Sequence, residues 1–238
     1  ISSYAMVAAR RDNSYSLEGA LKYFLSGAFA AAFFMMGMAF IFGSVGSLAL
    51  NEIAVNSQLI TDSSTRSFFM FGAAMAVSYF GFKIAAFPFH AWMPDAVEGA
   101  PMPGASFIAT VGKIAPVIIL AKLAIAISPS YDPVWHHLLF GIAAITMIFG
   151  AVAALRQENL KRMLAYASIS QGGYMLAVIP SMVFDPAAAM KGIVFYAAAY
   201  GIAMAGAFAA VTALLPGSDV TADLGRLSGS SKKSPFLS

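Results

Sequence analysis

Cysteine is absent from the 238-residue sequence, tryptophan occurs only twice, and charged residues make up just 11%. The first absence removes disulfides, thiolate metal sites and iron–sulfur ligation, so any redox centre has to sit on another chain. The shortage of charge stands against 60% hydrophobic residues. Ordinary soluble domains run at roughly 45–50% apolar and about 25% charged, so a soluble enzyme is excluded. A disordered chain, which needs low hydrophobicity and many charges, is excluded as well. The net charge is +3, yet no basic tract of the kind that follows a phosphate backbone is present, and nucleic acid is not an expected partner. No basic-then-apolar leader with a cleavage site is visible. What remains is an all-α, polytopic membrane protein.

A helix needs about 20 mainly apolar residues to cross roughly 30 Å of hydrocarbon. Six stretches meet that standard, at about 21–42, 67–87, 104–127, 135–155, 163–183 and 188–215, and residues 1–9 read as the tail of an earlier span. None alternates with period 2 and all exceed strand length. The expectation is one membrane domain over residues 1–238, an internal piece of a longer chain. Turn chemistry falls at 43–46, 94–104, 128–130 and 185–186. Alternate loops divide the basic residues unevenly. One side holds Arg10, Arg11, Arg156, Lys161, Arg162, Arg226, Lys232 and Lys233, the other Arg66 and Lys191. That bias predicts that the first side faces the cytoplasm. Small residues within the spans, as at 201–207, mark helix contact faces.

Four lysines fall within or beside these spans, where a cation costs about 2.5–3.5 kcal/mol at the bilayer centre. Lys113 is the deepest, near the midplane and followed by Ala115-Pro116. Pro116 removes the amide that would pair with the Gly112 carbonyl, which predicts a discontinuous helix near Lys113–Pro116. Freed backbone at membrane depth is tolerated only against protein or a wet cavity, so a midplane amine beside a broken helix suggests an ion path. Lys83 lies five residues before Pro88, and both snorkelling and a functional role are open to it. Lys22 reads as an interfacial anchor, and Lys122 as snorkelling outward. His90, beside Trp92, reads as interfacial, as do His136 and His137 beside Trp135 and Asp132. Asp95-Ala96-Val97-Glu98 reads as a short capped helix start.

The stretch from Lys83 through Pro88-Phe89-His90-Ala91-Trp92-Met93-Pro94-Asp95 resembles the seventh-helix signature of the antiporter-like subunits of respiratory complex I. Its continuation, Glu98-Gly99-Ala100-Pro101-Met102-Pro103 to Ala109-Thr110-Val111-Gly112-Lys113, is similar to the N type of that family rather than the L or M types. Asn159-Leu160-Lys161-Arg162-Met163-Leu164 resembles the start of the family's tenth helix, and Glu18-Gly19-Ala20-Leu21-Lys22-Tyr23 that of its sixth.

The resemblance implies that Lys22, Lys83 and Lys113 are proton-path lysines, with His90 as an intermediate and Lys161 as a weaker candidate. It implies a fifth-helix glutamate upstream of Ile1 and a twelfth-helix lysine beyond Ser238. It also implies a proton-translocating subunit of NADH:quinone oxidoreductase in the bacterial inner membrane, in contact with lipid and other membrane-arm subunits. No cofactor is expected in this chain, while NADH, flavin, iron–sulfur clusters and quinone belong to partner subunits. Two alternatives are a multisubunit Na+/H+ antiporter subunit and a structural spacer in a membrane complex.

Overall fold

Among the described residues, side-chain caps at Asn13, Asp62, Asn159 and Asp185 start four of the long helices, and left-handed residues at Gly46 and Ala85 end two. The computed structural model describes residues 2–127, 133–215 and 222–227. The turn expected at 128–130, Asp132, Lys232 and Lys233 lie outside the described residues. Ten α-helices appear there: α1 Ser2–Val7, α2 Ser14–Val45, α3 Leu50–Asn56, α4 Ser63–Ile84, α5 Trp92–Gly99, α6 Met102–Ala109, α7 Val111–Ile127, α8 Pro133–Leu155, α9 Leu160–Val178 and α10 Pro186–Leu214. Among the described residues there is no strand, only an isolated bridge between Asn159 and Asp223. Asn13 starts α2 by accepting from the Tyr15 amide at 3.0 Å, and Gly46 closes it at φ +75°, a conformation open to glycine. Asp62 caps α4, accepting from the Thr65 amide at 2.9 Å and from the hydroxyls of Ser64 and Thr65.

Among the described residues, five helical segments are long and apolar enough to cross a membrane: Ser14–Val45, Ser63–Ile84, Met102–Ile127, Trp135–Leu155 and Pro186–Leu214. The stretch expected as a span at 163–183 is helical, as α9 and a following 3-10 turn, Ile179–Val183, but it is not among the five. It carries Ser168, Ser170 and Gln171, and its first turn carries Lys161 and Arg162. Small residues fill much of the interior beside larger ones such as Phe69 and Phe208, and many large apolar side chains face outward. Met35, Phe195 and Ile202 are 74%, 78% and 77% exposed, whereas Ala73, Ala76, Ala143 and Ala197 are buried. In lipid, helices associate by close packing rather than by hiding apolar surface from water. α2 lies on α4 so closely that a Cβ on Gly37 would stand 2.7 Å from the Gly72 carbonyl oxygen, and the reverse holds equally.

The interruption in the third apolar segment is centred on Thr110, between α6 and α7, three residues before Lys113. Thr110 has φ −104° and ψ −85°. Pro116 itself sits inside α7, where only the carbonyl of Gly112 loses a partner, so the chain continues helical past it.

Candidate functional site

The break frees the last carbonyl of α6, and hydroxyls from two other helices meet it. The hydroxyl of Tyr200, on α10, donates to the Ala109 carbonyl and lies 2.7 Å from Ser168 Oγ on α9. Ser168 also reaches the Ala109 carbonyl at 3.4 Å. Three helices are thereby tied at one point, one turn before Lys113.

Lys113 is fully buried, and its Nζ has no hydrogen-bond partner among the described residues. Space beside it comes from Gly172 on α9, where a Cβ would stand 3.9 Å from Nζ and 3.2 Å from the Ile84 carbonyl oxygen. The end of α4 is therefore the third wall of this pocket. α4 stops there because Ala85 takes the left-handed conformation, φ 60°, and the Ala86 amide reaches back to the Gly81 carbonyl at 2.8 Å.

Lys83, two residues before that stop, lies among aromatic rings rather than carboxylates. Its Nζ is 5.7 Å from the centroid of Tyr4, 5.6 Å from Tyr23, 5.9 Å from Tyr79 and 5.8 Å from Phe82. His90 follows in the turn before α5. Its ring stacks on Phe87 (5.5 Å, 17°) and lies 4.4 Å from Phe149 on α8, and its Nδ1 is buried without a partner among the described residues. Burial holds the imidazole pKa below its ordinary value.

Lys22 is not buried. Its side chain is half exposed and pairs with Glu18 and with Asp95, both at 2.7 Å. Asp95 also receives Arg162 at 2.7 Å, and Arg162 reaches Glu98 at 2.8 Å. Burial raises the Asp95 pKa, but bonds from Lys22 and Arg162 outweigh it and hold the carboxyl below the usual range. Asp95 and Glu98 thus join α2, α5 and α9 electrostatically, and the start of α5 at Trp92 carries no side-chain cap hydrogen bond. Lys161, expected in a turn, is fully buried, and Nζ donates to the carbonyls of Glu98 (2.6 Å) and Ala100 (2.5 Å) at the end of α5. His136 lies 6.2 Å from Phe184, ring to ring. Among the described residues no cluster of three or more His, Asp or Glu is placed to hold a metal.

The structure therefore holds Lys113 at the helix break and Lys83 in an aromatic pocket just before α4's stop. It sets Lys22 apart in the charged network. Sequence reasoning missed Arg162, Ser168, Tyr200 and the ring cluster. The i, i+3 spacing of Asp95 and Glu98 was the available sign that one helix face awaited a cation.

A multi-pass helical membrane protein with amines in its interior is the class that this fold and site define. The chain belongs to the NADH:quinone oxidoreductase/Mrp antiporter transmembrane family, whose profile matches residues 1–238. It is 38% identical to NADH-quinone oxidoreductase subunit N of Rhodococcus opacus over 229 residues, 96% of this chain and 42% of that relative. The subunit N of Bdellovibrio bacteriovorus is 37% identical over 236 residues, covering 98% and 48%. A chain of respiratory complex I from Thermus thermophilus with bound aureothin matches with TM-score 0.79 at 33% identity, covering 99% and 48%. A chain of the Mrp complex from Dietzia sp. shares the fold, with TM-score 0.75 at 17% identity over 89% of this chain and 38% of that one. The chain spans less than half the length of these relatives.

Proposed function

We propose that this chain is part of a proton-translocating membrane-arm subunit of an NADH:quinone oxidoreductase, with Lys83 and Lys113 as its charge-coupled relay. The observation that carries this reading is the fully buried Lys113 amine, without a hydrogen-bond partner among the described residues, beside an interrupted helix. An ammonium there is costly unless water or a carboxylate reaches it. Such a group takes up a proton when a negative charge approaches and gives it up when that charge withdraws. His90 is the intermediate acceptor in this scheme. Lys22, wet and paired with Asp95, links the relay toward the glutamate expected upstream.

Moving one charge against 100 mV needs about 2.3 kcal/mol. That energy comes from electron transfer among NADH, flavin, iron–sulfur clusters and quinone on partner subunits. The complex sits in the bacterial inner membrane, with its basic loops cytoplasmic by the charge bias. Relatives sharing 37–38% of residues carry the subunit N name, while the likeness to the Mrp complex at 17% identity is one of fold. The reading is tested by Lys113→Met in the full-length chain. NADH-driven proton translocation in vesicles is expected to fall by most of its value, and unchanged pumping overturns the relay. Sodium-dependent proton flux without NADH would instead favour the antiporter.

A further inference from the structure

Resting on the reading of Lys83 as a proton carrier, we propose that Tyr4, Tyr23, Tyr79 and Phe82 form an aromatic cage that holds the Lys83 amine in place. An aromatic face attracts a cation within about 6 Å of its centroid, most strongly where water is excluded. All four rings satisfy that distance, between 5.6 and 5.9 Å, and they come from three helices, α1, α2 and α4. Among the described residues Lys83 has no ion pair or hydrogen bond, and its recorded partners are these four rings.

The cage is itself braced. Tyr23 stacks on Trp92 at 4.3 Å and 10°, and Tyr4 meets Tyr23 edge-on at 4.4 Å. Trp92 is fixed in turn by its indole N–H, which donates to the Phe82 carbonyl at 3.0 Å. The Tyr23 hydroxyl lies 3.3 Å from Ser3 Oγ. Tyr79 and Phe82 also line an apolar cleft of about 670 Å³ between α2, α4 and α5. A cage of this kind fixes where the amine sits without donating or accepting its proton. The four are positioning residues, and the property they supply belongs to the ring rather than to the hydroxyl.

The test uses the full-length chain in its assembled complex, reads proton translocation per NADH oxidised, and adds a double-mutant cycle on thermal unfolding. Tyr23→Phe is expected to translocate within about twofold of wild type. Tyr23→Leu and, as a second variant that does not touch the Trp92 stack, Tyr79→Leu are expected to lose about threefold or more. In the cycle, each leucine change is expected to couple to Lys83→Met by a similar factor in the unfolding equilibrium. Strict additivity of the leucine changes with Lys83→Met would mean that they act on packing alone, and overturns the cage. Wild-type translocation by both leucine variants beside a defective Lys83→Met overturns the cage and leaves the relay standing. Normal translocation by Lys83→Met removes the relay role of Lys83, and the coupling energy still decides whether the rings hold the amine.

Discussion

Lys113 and Lys161 are both fully buried amines, and they differ in what meets them. Lys161 plugs the end of α5, where carbonyls left without helical partners accept its protons. Lys161→Met strands those carbonyls and is expected to cost about 1.5–3 kcal/mol, read as a lower thermal midpoint of the purified protein in detergent. Lys113 has no such partners among the described residues. Lys113→Met is expected to leave the thermal midpoint unchanged or raised while translocation collapses, because an apolar side chain of similar size is cheaper to bury than an amine. A fall like that of Lys161→Met would mean that Lys113 is structural. The sequence made Lys113 conspicuous, since nine apolar or small neighbours precede it and no loop is near. Lys161 looked like a loop residue because the carbonyls it serves arrive from more than 60 positions upstream. The ring cluster around Lys83 was unreadable for the same reason: Tyr4 and Tyr23 belong to other helices.

Among the helices, α4 and the α6–α7 pair show how far local chemistry reaches. The Asp62 cap is local to Asp62-Ser63-Ser64-Thr65, and the bonds from the Ser64 hydroxyl, Thr65 amide and Thr65 hydroxyl lower the carboxyl pKa to about 2. An unfolded aspartate titrates near 3.9, so the charged cap stabilises fully above that value and its contribution fades as pH falls toward 2. Asp62→Ala is expected to melt at a lower temperature than wild type at pH 7, with the gap narrowing between about pH 4 and 2. A gap constant with pH would show that the charge is irrelevant. The α6–α7 break was foreseen near Lys113, but Gly112 and Pro116 misplaced its centre by several residues. The bend is at Thr110 because hydroxyls from α9 and α10 are waiting for the Ala109 carbonyl, and that is tertiary information. Tyr200→Phe removes the better of the two and is expected to cost about 1–2 kcal/mol, measured by thermal unfolding. Adding Ser168→Ala should cost more than the two single changes summed, since each hydroxyl partly covers for the other.

For the molecule as a whole, composition already announced membrane residence, and the exposed faces agree with it. Phe195, near the middle of α10 and mostly exposed, is expected to resist charge. Phe195→Arg should impair insertion by about 2.5–3.5 kcal/mol, read as the inserted fraction in a glycosylation-site insertion assay. Efficient insertion would place that face against protein or water. How the helices sit against one another was less legible, because close approach at Gly37 and Gly72 and the α2–α5–α9 charge network depend on which faces meet. The length of α2 carries a last consequence. Its 32 residues extend about 48 Å at 1.5 Å per residue, and even leaning by about 40° they cover about 37 Å, against roughly 30 Å of hydrocarbon. The overhang falls at the hydrophilic start, Ser14-Tyr15-Ser16 through Glu18, rather than at the oily Ile41-Phe42 end. Glu18 therefore lies on the part of α2 that exceeds the hydrocarbon thickness, 2.7 Å from the Lys22 amine.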